Sequence, residues 1–221
     1  MFLFVKQAES QNNKSYRINS ISQDSGDLVH STFKYSSFIP GEVLYINRPA
    51  ATADLNYNYL SGQIVFQNEK GETMELAKPE TLQCIAINKD TFYYADKNYV
   101  ELITHYPSVK LARNKVIKFN GKEKKGAYGT YSGTSAATSL DNITDEAVSQ
   151  KINVDENVIY AASTKYYLAD NSYNFIPASK KSFYKVFSQH ENKLSAYLKN
   201  NTVHFNKEED LLKLIDYMKA K

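Results

Sequence analysis

The sequence of 221 residues lacks most of the features that identify a function directly. It has 1 cysteine, Cys84, which cannot form an internal disulfide and stands in a mostly apolar run where a thiol acts as a small core residue. No run approaches the ~18 consecutive apolar residues of a membrane-spanning helix, so we predict no transmembrane span. The 27 Lys and Arg exceed the 24 Asp and Glu by only 3, which is too small an excess to predict a nucleic-acid partner or a polybasic membrane anchor.

The first ten residues also lack a full export signal. Five apolar residues precede Lys6, fewer than the roughly 7 to 15 of a signal-peptide core, which favours a cytoplasmic protein. However, the small-x-small pattern Ala8-Glu9-Ser10 follows this apolar run and precedes a polar one, as at the end of an export signal. Two localisations therefore stay open. The protein is exported to the periplasm, outer membrane or medium if its coding sequence begins upstream of Met1, and it is cytoplasmic if Met1 is the authentic start.

What the sequence does contain is a regular succession of short apolar runs and turn residues between positions 42 and 119. About eight such runs, spaced by roughly 8 to 12 residues, predict an antiparallel sandwich, roll or barrel. In residues 55–59, Leu55, Tyr57 and Tyr59 alternate with two asparagines, which predicts one dry and one wet face. The turn pair Ser61-Gly62 follows, and residues 63–67 alternate again, so these two runs should form a hairpin. Residues 82–87 are apolar except at Gln83, which predicts a central strand covered from both sides.

Residues 121–150 differ from the rest, being charged at first and then small or hydroxylated. Such a segment buries too little apolar surface to order itself, so we predict a flexible loop. Beyond it we expect a hairpin turning at 170–172 and continuing through 173–176. Two helices should follow, the first capped by Ser179 and broken near His190, the second capped by Asn206 and acidic in its first turn.

These elements predict an α+β fold with a mainly antiparallel β-sheet body, sandwich, roll or barrel-like, and two C-terminal helices packed on it. The predicted parts are an N-terminal segment over residues 1–40, the body over 41–120, the flexible loop over 121–150, and the hairpin with two helices over 151–221. We expect the last part to pack with the body as one unit.

Local motifs for catalysis, cofactors or metals are absent from the sequence. The glycine-rich stretch 129–133 has its serine at the wrong place for a nucleophile elbow, and no lysine follows to make a phosphate loop. The histidines stand singly, without the spacing of a zinc motif. They are His30, His105, His190 and His204. We therefore name no catalytic, cofactor-binding or metal-binding residue.

Two groups of charged side chains nevertheless allow two interpretations each. Acids at predicted strand ends offer carboxylates for an acid–base pair, but each is more simply a solvated residue beside a turn. They are Asp54, Glu75, Glu101 and Asp170. Lysines of the first helix form either a solvated face or a surface for an acidic partner or lipid headgroups. They are Lys180, Lys181, Lys185, Lys193 and Lys199.

Tyrosine, with 18 residues, is the one type in unusual supply. Tyrosines on neighbouring strands suggest a binding platform, because each offers a large apolar area with a polar tip. The plainer interpretation is that tyrosine is favoured in half-buried strands. The residues concerned are Tyr57, Tyr59, Tyr93, Tyr94 and Tyr99, with Tyr128 and Tyr131 in the predicted loop.

The C-terminal third also carries the pattern KYYLADNSYNFIPASKKSFYKVF from Lys165, followed by KLSAYLKNNTVHFNKEEDLLKLIDYM. Together with GEVLYI, LNYNYLSGQIVF and VELITHYPSVKLA in the same order, it resembles an uncharacterised family of exported bacterial proteins with a Lys-Lys helix and an acidic-capped last helix. The likeness covers residues 41–218. It implies export through a signal peptide and brings no catalytic residue.

The sequence therefore predicts a non-enzymatic binding or structural module of the bacterial envelope, whose partner is an unknown protein or envelope component. The alternative is a small-ligand binder or hydrolase whose site forms only in three dimensions. A packed interior with a tyrosine surface favours the first, and an empty interior favours the second.

Overall fold

The structure is a computed structural model, and it describes residues 15–19, 32–106, 108–125, 131–134 and 156–219. It confirms the α+β class, with an antiparallel sheet and helices at the C-terminus. The chain divides into two compact units, one of Met1–Ser25 with Ile117–Ser163, the other of Gly26–Val116 with Thr164–Lys221. The predicted boundaries near residues 41, 121 and 151 stay a prediction.

In the first unit, β1 (Ser15–Asn19) pairs antiparallel with β11 (Glu156–Ala169), and β10 (Tyr131–Thr134) pairs antiparallel with β9 (Lys110–Lys125). Part of the predicted loop over 121–150 is therefore strand. Its polar side chains show no apolar alternation, but backbone pairing does not require one. The rest of that predicted loop, with Tyr128, lies outside the described residues.

The second unit contains most of the sheet. Its further strands are β2 (Ile39–Tyr45), β3 (Ala51–Asn58), β4 (Gln63–Gln67), β5 (Thr73–Glu75), β6 (Leu82–Ile87), β7 (Asp90–Ala95), β8 (Asn98–His105) and β12 (Ile176–Pro177). The order in this unit is β11-β9-β8-β7-β6-β2-β3-β4-β5, with β12 beside β11. The central position predicted for residues 82–87 is confirmed, since β6 pairs with both β2 and β7.

The sheet of this unit curves back on itself at the predicted β3–β4 hairpin. Gly62 stands in the hairpin turn at φ 71, a conformation that glycine adopts without steric cost. Its carbonyl accepts a hydrogen bond from the Tyr99 amide of β8 at 3.3 Å, and the Tyr57 hydroxyl donates to the Lys115 carbonyl at 3.0 Å. The concave face between these strands thus becomes an enclosed core.

The prediction of a wet asparagine face on β3 is wrong. Asn56 is 1% exposed and Asn58 9% exposed, while Leu55 and Tyr57 are buried as expected. Both faces of this strand are therefore covered.

The burial of Asn56 has a local cause. Before β2, residues 34–38 lie opposite residues 56–57 without regular ladder pairing. The Asn56 side-chain oxygen accepts from the Tyr35 amide at 3.1 Å, and its nitrogen donates to the carbonyls of Tyr35 at 2.9 Å and Ser37 at 3.1 Å. An amide side chain thus supplies the partners that a neighbouring backbone would otherwise provide.

Two pairs of apolar runs that predict separate strands are each one continuous strand. Residues 110–112 of the run 109–112 and all of the run 116–119 belong to β9, although Arg113 and Asn114 interrupt its apolar pattern. Asn114 is 4% exposed and donates to the Tyr57 hydroxyl and the Tyr99 carbonyl, both at 3.0 Å. Because its hydrogen-bond partners lie far away in sequence, the local pattern wrongly predicts that the strand ends there. Residues 158–161 and 165–169 likewise belong to β11.

Three helices end the chain: α1 (Lys180–Val186), α2 (Glu191–Asn200) and α3 (Glu208–Lys219). The predicted cap at Ser179 and the break near His190 are confirmed, since Ser179 accepts from the Ser182 amide and a 3-10 turn over Ser188–His190 separates α1 from α2. Lys207, and not Asn206, immediately precedes α3.

Buried side chains of the second unit form three clusters. One joins the helices to the sheet through residues such as Leu111, Leu168 and Phe183. Another fills the concave side of the curved sheet, around Leu55 and Ile85, both 0% exposed. The third cluster lies on the sheet face away from the helices. It comprises Val100, Ala112, Tyr167, Ala169 and Phe175.

Candidate interaction surface

The prediction of one tyrosine platform is wrong, because its members are divided between two faces. Tyr94 pairs with Tyr99 and packs in the concave core, where Tyr57 and Tyr99 are 3% and 2% exposed. Tyr93 pairs with Val100 and packs in the third cluster, on the opposite face. Successive strand residues point to opposite sides, so neighbouring tyrosines in one strand cannot share a surface.

An aromatic surface does form on that opposite face, from residues distant in sequence. The Tyr93 ring stacks on Tyr173 at 5.2 Å between centroids and contacts the Phe175 ring at 5.1 Å. We call Tyr93, Tyr173 and Phe175 the outer aromatic patch. Burial raises the pKa of Tyr93 to about 12, so its hydroxyl stays neutral at physiological pH. Phe175 is buried, whereas Tyr173 is 39% exposed.

A buried lysine lies beneath this patch. Lys110 is 2% exposed, its ammonium lies 2.8 Å from the Asn171 side-chain oxygen, and it lies 4.6 Å from the centre of the Tyr173 ring. Burying a charge is costly unless polar or aromatic partners replace water. A lysine in a strand is normally predicted to be exposed, so the local sequence gives no indication that Lys110 is buried.

Tyr173 has a strained backbone. Its φ is 57, in the left-handed region that disfavours side chains with a Cβ by about 1–2 kcal/mol. Its amide donates to the Asp170 carbonyl at 3.3 Å, and the Asp170 carboxylate accepts from the Ser172 amide at 2.9 Å. The predicted turn at 170–172 is thus confirmed, but the predicted strand over 173–176 shrinks to β12, because a left-handed residue cannot continue a strand.

A chain of ion pairs lies elsewhere in the same unit. The Lys34 ammonium lies 3.1 Å from Asp90 and 2.6 Å from Glu101, and the Arg113 guanidinium lies 3.1 Å from both Glu101 and Glu208. Glu101 was expected to be solvated, but its side chain is 14% exposed. This chain ties the segment before β2 to β7, β8, β9 and α3.

The carboxylates of this ion-pair chain are occupied by cations and hydroxyls. Burial opposes ionisation of Asp90, but a 2.7 Å hydrogen bond from the Tyr35 hydroxyl and the charge of Lys34 outweigh it, so its pKa lies below the usual range. Glu101 accepts from two cations. Because cations already hold both carboxylates, these geometries favour a structural role over acid–base catalysis.

No family model, curated protein or solved structure matches this chain. The resemblance to exported bacterial proteins therefore stays a prediction.

The remaining candidate acids and histidines are dispersed. Asp54, Glu75 and Asp170 are exposed, as expected. His105, His190 and His204 are exposed too. His204 pairs with Asp210 at 2.8 Å. His30 lies outside the described residues.

Cys84 and the glycine-rich stretch carry no further chemistry. Cys84 is half-buried, and burial together with Glu42 raises the pKa of its thiol, which keeps it protonated. The serine of the stretch 129–133 lies in β10, a strand, and not in a strand-to-helix turn.

A small cleft lies beside the turn that carries Tyr173. It has a volume of about 50 Å³, room for one or two waters. Its lining comprises Asp170, Ser172, Asn174, Ile176, Lys185 and Val186. Within the described ranges, no three His, Cys, Asp or Glu side chains are grouped so as to hold a metal ion. Among the helices of the part described, none is both long and apolar enough to cross a membrane.

Proposed function

We propose that this protein is a non-enzymatic binding or structural module of the bacterial cell envelope, and that the outer aromatic patch contacts its partner. The observation that carries the proposal is Tyr173, which is 39% exposed in a left-handed conformation above a buried lysine. Backbone strain tends to persist where the surrounding structure holds a side chain for a function. Exposed tyrosines are also enriched among the residues that dominate binding interfaces.

The interior of the curved sheet supports this function over the alternative of a small-ligand binder or hydrolase. Leu55, Ile64 and Ile85 are 0% exposed on its concave side, where a ligand would need space. The carboxylates that do converge, Asp90 and Glu101, are engaged by Lys34 and Arg113.

We also propose that the protein is exported and belongs to the family that it resembles. The order of apolar, small-x-small and polar residues in positions 2–14 and the order of the motifs over 41–218 support this. Mass spectrometry of the protein isolated from the producing bacterium should find a mature N-terminus near residue 11. A cytoplasmic protein that retains Met1 would contradict export.

Photo-crosslinking tests the role of the patch. A photoreactive phenylalanine derivative at position 173 is expected to give a discrete adduct in envelope fractions, identifiable by mass spectrometry. The same derivative at position 217 is the matched control, because Tyr217 is 40% exposed and its ring also contacts that of another tyrosine, Tyr197.

Binding of the identified partner to purified protein should then fall about thirtyfold or more in Tyr173→Ala and less than about twofold in Tyr217→Ala, since truncating an interface hot spot costs about 2 kcal/mol or more. Identical adducts from both positions, or equal losses, would contradict a contact through the patch. Turnover of a substrate by the purified protein would overturn the non-enzymatic assignment.

A further inference from the structure

Two neighbouring helices, α1 and α2, carry a cluster of lysines. Residues 180–200 contain 5 lysines and 1 glutamate, a net charge of 5 − 1 = +4. The lysines are Lys180, Lys181, Lys185, Lys193 and Lys199, which we call the basic helical surface.

The packing of α1 and α2 directs most of these lysines to solvent. Phe183 of α1 and Leu194 of α2 are 0% exposed in the core beneath the helices. On the other side, Lys180, Lys181, Lys185 and Lys199 are exposed, and Lys193 is half-buried. The Tyr184 hydroxyl lies 2.9 Å from the Ser195 hydroxyl, so the solvent-facing sides of the two helices adjoin.

Tyrosines border this surface. Tyr184 and Tyr197 are half-buried, and the Tyr197 ring contacts Tyr217 at 4.6 Å between centroids. Tyr217 is 40% exposed and has the Lys193 ammonium 5.3 Å from its ring. Tyrosines with polar tips and lysines with long apolar stems are the side chains that favour a membrane–water interface.

We propose that the basic helical surface docks the protein on an anionic lipid surface. Its charge complements anionic headgroups, which attract each nearby lysine. All five cations are lysine and none is arginine, whereas protein interfaces are depleted of lysine and phosphate recognition by hydrogen-bond pairs prefers arginine. The biological setting of this contact rests on the proposed envelope function, but the contact itself can be measured without it.

Co-sedimentation with vesicles tests the proposal on the purified chain. We expect binding to vesicles of phosphatidylglycerol and phosphatidylethanolamine, weakening as salt is added, and none to phosphatidylcholine vesicles. The triple variant Lys181→Gln, Lys185→Gln and Lys199→Gln should lose roughly fivefold in affinity for each lysine. Because all three residues are exposed, the fold should persist, and circular dichroism checks that it does.

The matched control removes the same charge elsewhere. Lys70, Lys89 and Lys97 are exposed outside the helices, and their triple change to Gln should alter affinity less than about twofold per lysine. Equal losses in both triple variants would overturn the assignment to this surface, since net charge alone would then explain binding. Absence of vesicle binding, or tighter binding to polyglutamate or to single-stranded DNA than to anionic vesicles, would overturn the lipid partner.

The two proposals fail separately. Tyr173→Ala should bind vesicles as the wild type does, because Tyr173 lies outside the basic helical surface. Loss of the crosslink at position 173 would leave the vesicle result unchanged, and a negative vesicle result would leave the crosslink standing.

Discussion

Tyr173 and Tyr217 have similar side-chain surroundings but different backbone conformations. Each is about 40% exposed, has its ring against a second tyrosine ring and has a lysine ammonium near its ring. Tyr217 lies in α3 with a half-buried lysine, Lys193, beside it, whereas Tyr173 is left-handed above a fully buried Lys110. Exposure alone therefore does not distinguish an unstrained surface tyrosine from a strained one. The backbone conformation and the burial of the neighbouring lysine do.

The largest expected difference between the two sites is the loss of stability when the lysine beside each tyrosine is truncated. Lys110→Ala should lower the free energy of unfolding by about 2–4 kcal/mol, as truncation of a buried aliphatic chain does, since it leaves a void under Tyr173. Lys193→Ala should cost less than about 1 kcal/mol, because its half-buried site can refill with water. Urea unfolding of both variants measures the difference. Equal costs would mean that the burial of Lys110 has no energetic consequence.

Glycine and alanine at the two tyrosine positions should give effects of opposite sign. At position 173, glycine should be more stable than alanine by about 1 kcal/mol, because only glycine accepts a positive φ without strain. At position 217, glycine should be less stable than alanine by about 1 kcal/mol, because glycine disfavours a helix.

Thermal or urea unfolding of the four variants gives both differences, and the lost ring cancels within each pair. A result in which alanine is the more stable residue at both positions would show that Tyr173 is not strained in solution.

The smallest expected effect is a pH dependence confined to the Tyr173 turn. Hydrogen bonds from the Ser172 hydroxyl and amide lower the pKa of Asp170 below its ordinary value of 3.8. Because the folded pKa is lowered, the stabilisation is present above pH 3.8 and is lost as pH falls through the lower, folded value. The Ser172 amide signal should therefore titrate below pH 3.8 in NMR spectra, and Asp170→Asn should abolish that titration. A midpoint at or above 3.8 would contradict the hydrogen-bonded turn.

Features that depend on neighbouring residues were predictable from the sequence. The cap at Ser179 follows from a serine before a periodic run, and the β3–β4 hairpin from Ser61-Gly62 between alternating strands. In both cases the interacting groups lie within a few residues of each other, so local chemistry determines the structure.

Features that depend on distant partners were not predictable. Lys110 is buried because Asn171 and Tyr173 meet it across the sheet, and Glu101 because Lys34 and Arg113 reach it from other segments. The aromatic patch was missed for the same reason: Tyr93 was identified, but Tyr173 and Phe175 come from a turn some 80 residues away. The signal that was available, the tyrosine-rich hairpin around 170–172, indicated a turn and gave no indication of a left-handed tyrosine.

Asn56 has a consequence for tracing relatives of this protein. Aspartate there would direct a carboxylate at the carbonyls of Tyr35 and Ser37, and glutamine would be one methylene too long for the gap. A related protein that retains the irregular segment before β2 must therefore retain this asparagine, even where the surrounding sequence has diverged too far to be aligned. Position 56 is thus a fingerprint that a search by shape and chemistry can use.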